Sequence, residues 1–320
     1  GQKVVVKITN YPDFRKNPEG KIIEVLGEAG SIEADILSIM RSFDIYEEFN
    51  GRTLRAAARA PQSVSEEELA GREDFRDEVV ITIDGEDAKD LDDAISINKE
   101  EKDFILGVHI ADVSRYVEEG SPLDTEALKR GTSVYFPDRV LPMLPRELSN
   151  GICSLHPGVD RLTLSVIMRV NPQGKITSSR IAKSVIRSKA RMTYASVQKI
   201  LDGDKREREK YPHLLEALEL MRQLAEALIS KRGRRGSIDF DLPECKVILR
   251  EDGEVADIAP YPRGMSNRII EEFMILANET VAETFFKKEL PFVYRIHEEP
   301  SVEKLLAFQT LLKSLGYRLN

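Results

Sequence analysis

The sequence predicts an α+β protein with about two domains. Its length of 320 residues is about twice that of an average domain and is ample for a buried core. Short apolar segments typical of strands dominate between Val4 and Val197, and long segments with helical spacing lie between His213 and Tyr317. No apolar run approaches the ~20 residues of a membrane helix. These observations predict a globular chain that has no contact with a membrane.

Cysteine, histidine and motif content exclude several classes of protein. The two cysteines, Cys153 and Cys245, are far apart, and the four histidines form no HExxH pair, so zinc sites and a disulfide framework are not indicated. There is no Walker A loop, no GxSxG motif and no signal peptide. We therefore expect a cytoplasmic protein. The chain lacks an initiator Met and an obvious closing element, and we interpret it as part of a longer protein.

The first 78 residues predict a small β-rich domain and a linker. Residues 4–8 read as a strand, residues 18–30 as a turn, a strand and a second turn, and residues 34–43 as a helix. We assign residues 1–60 to the first domain and residues 61–78 to the linker. Ser65 and Glu68 form a capping-box pattern for a short helix, with Gly71 as its stop.

The main domain, residues 79–320, begins with an unusually acidic loop. The ten residues from Asp84 to Asp93 read DGEDAKDLDD, and six of them are acidic. Strand-like segments at residues 79–83 and 94–97 flank the loop and place its carboxylates at the end of a sheet. Crowded carboxylates repel one another, and their desolvation is costly. The simplest neutralising partner is a divalent cation such as Mg²⁺, which prefers oxygen ligands.

Two other interpretations of this loop can be compared with the metal site. A solvated acidic turn is the common outcome for blocks of like charge. A calcium-binding EF-hand would need Gly and Glu at positions 6 and 12, where the chain has Lys89 and Ile95. The sequence excludes the EF-hand but leaves the solvated turn open.

The spacing of Asp84, Asp90, Asp92 and Asp93 after the segment TID resembles the signature of the RNB family of exoribonucleases, nearest to its ribonuclease R branch. The blocks HIADVS, SVYFP, MTY and IDFDLPE also match that family. The resemblance implies that residues 1–60 are a partial cold-shock domain, an OB-type β-barrel remnant. It also implies that residues 79–320 are the N-terminal part of an RNB catalytic domain of mixed antiparallel sheet and helices, truncated at its C-terminus.

The resemblance further implies 3′-to-5′ hydrolysis of single-stranded RNA to 5′-nucleoside monophosphates with Mg²⁺. In this family the four aspartates hold the metal and carry out catalysis. Aromatic side chains grip the bases, and a glutamate of a late helix contacts the ribose. The matching positions here are Tyr135, which stacks on the last bases, Tyr194, which lines the RNA channel, Phe240, which sandwiches bases against Tyr135, and either Glu271 or Glu272 for the ribose.

Charge segregation also favours an RNA partner. The net charge is −8, yet residues 161–201 contain nine cations and no acidic residue. A basic surface apart from an acidic metal site suits an enzyme that binds a polyphosphate, although a basic solvent face of ordinary strands and helices is the alternative. We expect a monomer that binds single-stranded RNA.

Two other functions stay open at this stage. In the family, a basic block with a catalytic arginine and an OB-type RNA-binding domain follow the region matched here, and this chain ends before both. Weak or absent cleavage is therefore compatible with the sequence, and the main alternative is an RNA-binding module without catalysis. A metal-dependent phosphatase or DNA nuclease that shares only the carboxylates is a second alternative.

Overall fold

The computed structural model describes residues 1–12, 16–238, 245–250, 253–260 and 263–318. The chain divides into two compact units, Gly1–Met274 and Ile275–Asn320. Within the described ranges, no helix is long and apolar enough to cross a membrane. The predicted α+β class is confirmed, because a mixed sheet and several helices form the larger unit.

The N-terminal segment forms a β-hairpin followed by two helices. Strands β1 (Gln2–Asn10) and β2 (Glu19–Glu28) pair antiparallel, and helices α1 (Ile32–Ser42) and α2 (Gly51–Ala57) follow. The Ser31 hydroxyl caps α1 by accepting from the Ala34 N–H. Gly27, at φ +136°, permits the close approach of α1, because a Cβ there would lie 3.2 Å from the Ala34 Cβ.

The segment predicted as a linker contributes a strand to the main sheet. A short 3₁₀ helix, Glu66–Leu69, begins where the Ser65 N–H donates to the Glu68 carboxylate at 3.0 Å, as the capping pattern predicts. Gly71, at φ +75°, follows the helix. Strand β3 (Glu73–Phe75) comes next and pairs with the central sheet at one edge.

The strands and α-helices that follow β3 are β4 (Val80–Asp84), β5 (Asp93–Glu100), β6 (Asp103–Ala111), α3 (Pro122–Arg130), the short hairpin β7 (Val134–Tyr135) and β8 (Val140–Leu141), β9 (Asp160–Val170), β10 (Ile176–Arg187) and β11 (Ala190–Thr193). Seven strands form the central sheet, in the order β11-β4-β5-β6-β9-β10-β3. The outer pairs β11–β4 and β10–β3 are parallel, and the inner pairs are antiparallel. This arrangement confirms the mixed sheet.

Helices follow the sheet in the chain. These are α4 (Tyr194–Leu201), α5 (Lys205–Lys210) and α6 (Leu215–Arg234), and α6 packs against β5. The spacing of apolar residues in the segment 213–231 predicts an amphipathic helix with one buried face. The structure confirms this face, because the described core residues of α6 include Leu218, Met221 and Leu224. The segment 238–261 predicts a hairpin that turns at its Asp-Gly pair. This hairpin is present as β12 (Cys245–Leu249) and β13 (Val255–Pro260), with Gly253 at φ +83°.

The last two helices are α7 (Met265–Lys287) and α8 (Val302–Ser314). In the first unit, Ile269, Ile270 and Phe273 of α7 are buried, as their spacing predicts. In the second unit the rings of Phe285, Phe292 and Tyr294 pack in a row, with adjacent centroids 4.6 and 5.3 Å apart. Ser301 caps α8 at its N-terminus.

A chain of buried polar side chains crosses the middle of the sheet. His109 on β6 is fully buried and hydrogen-bonded to Ser96 Oγ at 3.0 Å and to Ser165 Oγ at 2.6 Å. Ser165 continues to Ser184 at 2.5 Å, and Ser184 to Thr163 at 2.7 Å. Since every member has a partner, the network helps to specify the register of four neighbouring strands.

Gly107 leaves the space that this network needs, and we expect Gly107→Ala to destabilise the fold. A Cβ at Gly107 would lie 2.4 Å from Ser96 Oγ and 2.8 Å from His109 Nε2, so both groups would have to move. Overpacking of this kind costs about 1–3 kcal/mol of the free energy of unfolding. Urea unfolding measures the effect. Gly233→Ala is the control, because nothing lies within 4 Å of a Cβ there.

Candidate active site

The acidic loop joins β4 to β5, and the fold holds it from both sides. Leu91 is fully buried, its N–H donates to Ser154 Oγ at 3.0 Å, and its carbonyl accepts from the Leu155 N–H at 2.9 Å. On the other side, Arg191 Nη2 donates to the carbonyl oxygens of residues 85, 86 and 88 at 3.3, 2.6 and 2.8 Å. Hydrogen bonds therefore fix the backbone of the loop on both sides.

Burial and mutual repulsion raise the pKa values of the loop carboxyls. Burial, reinforced by Asp93, raises the pKa of Asp84 to about 7, although Arg191 opposes the shift. Burial and then Asp90 raise the pKa of Asp92 to about 6, and burial raises the pKa of Asp93. Asp84 Oδ2 is buried without a hydrogen-bond partner among the described atoms. The site therefore disfavours its own anions and would gain from a cation.

The donor chemistry of the loop fits Mg²⁺. Within the described residues, no three histidine, cysteine or acidic side chains are close enough to hold a metal ion by themselves. Mg²⁺ does not need such a cage, because it usually takes one or two carboxylates and completes its shell with water and substrate phosphates. The unpartnered oxygen of Asp84 and the carboxyl of Asp92 fit this mode of binding.

The structure brings Tyr135 to the acidic loop. Tyr135 lies on β7, and its hydroxyl donates to Asp90 Oδ2 at 3.2 Å. Its side chain is 67% exposed, which leaves most of the ring open to a ligand. A phenol anchored at its oxygen with a free face is suited to stacking on a base.

A cleft of about 740 Å³ opens beside the first half of the loop. The loop, the N-terminal part of α4, the β12–β13 hairpin and the N-terminal part of α7 form its walls. Asp84 and Tyr194 both line this cleft, so two of the predicted site residues meet there. Tyr194 is the first residue of α4, one position after β11 ends. The cations and amides among the lining residues are Lys199, Lys246, Arg263, Gln198 and Asn267.

The two candidate glutamates of α7 have different surroundings. Glu272 is 3% exposed and forms an ion pair with Arg232 Nη2 at 3.0 Å. Glu271 is half-buried and pairs with Arg263 Nη2 at 2.6 Å. Neither glutamate lines the cleft itself, but Arg263 does, so Glu271 is the one connected to the cleft. Phe240 lies outside the described residues.

Sequence reasoning missed the cations that line the cleft or hold the loop. In the sequence, Arg191 is only one of the nine cations of residues 161–201, and no motif marks Lys246 or Arg263. Lys246 alternates with apolar neighbours on a predicted strand, and Arg263 shortly precedes a predicted helix. These patterns predict that both side chains are exposed near the ends of a strand and a helix. They do not indicate that the two side chains line the same cleft.

The nine cations of residues 161–201 do not form the separate basic surface that the sequence predicted. Most are engaged by acidic or carbonyl groups from elsewhere in the chain. Arg187 pairs with Asp160 at 2.7 Å, and Arg180 pairs with Glu73 at 2.9 Å. Arg161, Arg169, Lys189 and Arg191 are similarly bound to carbonyl or carboxylate oxygens. The oxygens that bind these cations belong to residues outside the segment 161–201.

Comparison with known proteins supports the resemblance over the whole chain. The family model described as RNB domain matches residues 72–319, and the model described as cold shock domain matches residues 1–50. Ribonuclease R 1 of Lactococcus lactis is 46% identical over 319 residues, which cover 99% of this chain and 39% of that protein. Ribonuclease R of Thermotoga maritima is 48% identical over 321 residues, which cover 99% of this chain and 45% of that protein.

The fold is also similar to solved structures. Mycoplasma genitalium RNase R in complex with ribose-methylated single-stranded RNA superimposes with a TM-score of 0.90 at 29% identity, over 98% of this chain and 49% of that one. The chain thus spans less than half the length of these relatives. The RNB model covers most of the chain, and the acidic loop and cleft lie within the matched region. The chain therefore belongs to the RNB family, with a segment matching a cold shock domain in front of its RNB domain.

Proposed function

We propose that this chain binds and hydrolyses single-stranded RNA as a 3′-to-5′ exoribonuclease that uses Mg²⁺ and releases 5′-nucleoside monophosphates. The observation that carries the proposal is the carboxylate of Asp84. It is largely buried, has one oxygen without a partner, and lines a cleft with Tyr194 and three cations. Similarity to ribonuclease R supports the substrate class. Monomeric state and cytoplasmic location stay predictions from the sequence.

One group of residues in the site would bind the metal ion, and another group would bind the RNA. Carboxylates of the set Asp84, Asp90, Asp92 and Asp93 would hold Mg²⁺, one or two of them as direct ligands. When bound, the ion would supply an activated water and neutralise charge at the scissile phosphate. Lys199 and Lys246 offer positive charge to the phosphates of RNA in the cleft, where Arg263 is already paired with Glu271. Recognition of the ribose 2′-hydroxyl would select RNA over DNA, and Glu271, held by Arg263, is the better placed of the two glutamates.

Tyr135 is expected to contribute to RNA affinity through its ring. Tyr135→Ala should weaken binding of single-stranded RNA by about 1–3 kcal/mol, since stacking of a base on an aromatic side chain has this magnitude. Tyr135→Phe is the matched control, because it retains the ring and removes only the hydrogen bond to Asp90. Fluorescence anisotropy with labelled RNA in chelator measures both variants. Equal losses for the two variants would show that the hydroxyl matters and the ring does not.

The reaction itself is tested with 5′-labelled single-stranded RNA. The chain is incubated with the RNA in Mg²⁺ or in excess chelator, and the products are resolved on a sequencing gel. A ladder that shortens from the 3′ end only in Mg²⁺ is the expected result. Bound but intact RNA would instead support the RNA-binding module without catalysis. Equal degradation of DNA of the same length would support the alternative of a nuclease that shares only the carboxylates.

A further inference from the structure

Helix α2 lies between the two matched family regions. The cold shock model ends at residue 50 and the RNB model begins at residue 72, so neither assigns a role to residues 51–57. One face of α2 is fixed to the protein. Thr53 and Ala57 are fully buried, and Thr53 Oγ1 donates to the Pro122 carbonyl at 3.2 Å. The helix is therefore held firmly against the first residue of α3.

The opposite face of α2 and the turn after it carry three exposed arginines. Arg52, Arg55 and Arg59 stand at positions i, i+3 and i+7, which places them in one row along the helical direction. In the described part of the chain, these three guanidinium groups make no ion pair with a carboxylate. They differ in this respect from Arg180 and Arg187, which are paired. We call Arg52, Arg55 and Arg59 the arginine row.

The arginine row lines two surface grooves. One groove, of about 560 Å³, is lined by all three arginines and by Arg115. The other, of about 590 Å³, is lined by Arg52 and Arg55 and contains no acidic residue among its described lining. The first groove also contains Glu68 and Glu118. Glu68 is already paired with Arg115 at 3.0 Å, so positive charge remains in excess.

The chemistry of this surface matches a row of phosphates. Arginine presents a planar fork of donors that fits phosphate oxygens. The row extends over about 10 Å at the helical rise of 1.5 Å per residue. A row of this length can contact successive phosphates of one strand.

We propose that the arginine row binds the phosphodiester backbone of single-stranded RNA at a place separate from the catalytic cleft. None of the three arginines lines that cleft. The inference rests on the proposed function, because the ligand is the RNA that the site would degrade. The row adds affinity for long RNA without reading its sequence, since its contacts are to the backbone.

The test is a triple variant, Arg52→Gln/Arg55→Gln/Arg59→Gln, titrated with single-stranded RNA at several salt concentrations in chelator. Three lost phosphate contacts should reduce the slope of log K against log salt by about 2, which corresponds to about 100-fold weaker binding at 0.1 M salt. An RNA of about 20 nucleotides should show the loss, and one of about 4 nucleotides, too short for both places, should not. Triple replacement by lysine should restore most of the affinity.

The control removes three exposed cations elsewhere, Lys102→Gln/Lys205→Gln/Arg206→Gln. It changes the net charge by the same amount, and we expect its RNA affinity to stay close to that of the unmodified chain. Wild-type affinity and slope in the arginine-row variant, or an equal loss in the control, would overturn the inference while the proposed function stood. A wild-type chain that binds neither RNA would refute both. Urea midpoints verify that each variant is folded.

Discussion

Replacing Asp92 with asparagine is expected to lower the rate of RNA hydrolysis by about 10²-fold or more, a typical loss when a charge-stabilising group is removed from an active site. Asp92 is a member of the four-aspartate set, and its pKa is raised to about 6 by burial and the neighbouring Asp90. Asparagine keeps the shape of the side chain but removes the negative charge that a metal ion needs. RNA affinity should change little, because Asp92 does not line the cleft.

Asp87→Asn is the matched control for this prediction. Asp87 belongs to the same loop and lines the cleft, but it is exposed and does not fall on the family spacing. Single-turnover cleavage of 5′-labelled RNA in Mg²⁺ measures the rate, and anisotropy in chelator measures binding. A parallel loss of binding and cleavage in Asp92→Asn would contradict the role of Asp92 as a metal ligand. A loss in Asp87→Asn as large as that in Asp92→Asn would show that loop charge in general is responsible.

The sequence predicts the part of the site whose residues are neighbours in the chain, namely the acidic loop between two strands. Asp84 ends one strand and Asp93 begins the next, so the strand-like apolar segments on both sides are enough to place the carboxylates at the end of a sheet. The hairpin and the buried face of α6 likewise follow from local apolar patterns. The approach of Tyr135 to Asp90 joins residues 45 positions apart, and only the family resemblance pointed to it.

The features that the sequence did not predict depend on tertiary pairing. In the sequence, Arg187 cannot be told from an exposed cation, but the pairing of β9 with β10 brings Asp160 beside it. The same holds for Arg191, which the pairing of β11 with β4 directs to the backbone of the acidic loop. Strand β3 is only three residues long and lies in a segment without an apolar pattern. Charge counts along the chain do not reveal which cations are already neutralised.

His109 provides the second large expected effect, a dependence of stability on pH. Burial lowers the pKa of His109 from 6.5 to about 3, so the folded protein keeps the ring neutral within the serine network. In the unfolded chain the ring gains a proton below pH 6.5. The unfolded state then binds more protons than the folded state, and stability from this group falls as pH decreases from 6.5 towards 3. The slope is about 1.4 kcal/mol per pH unit.

The carboxyls of the acidic loop act in the opposite direction and would obscure this slope in the unmodified protein. Asp84 and Asp92 have raised pKa values, so their protonation stabilises the fold as pH falls below about 7 and about 6. His109→Gln isolates the histidine, because glutamine fills a polar position without titrating and leaves the loop unchanged. The free energy of unfolding is measured in urea between pH 7.5 and 4.5 for both proteins.

The variant should be the less stable protein at pH 7.5, since it disturbs the contacts with Ser96 and Ser165. The difference in free energy of unfolding between the two proteins should then shrink by about 1.4 kcal/mol for each pH unit below 6.5. A constant difference across that range would mean that the ring is already protonated in the folded state, or that it is neutral in both states, and the assignment of His109 as a buried neutral member of the network would be wrong.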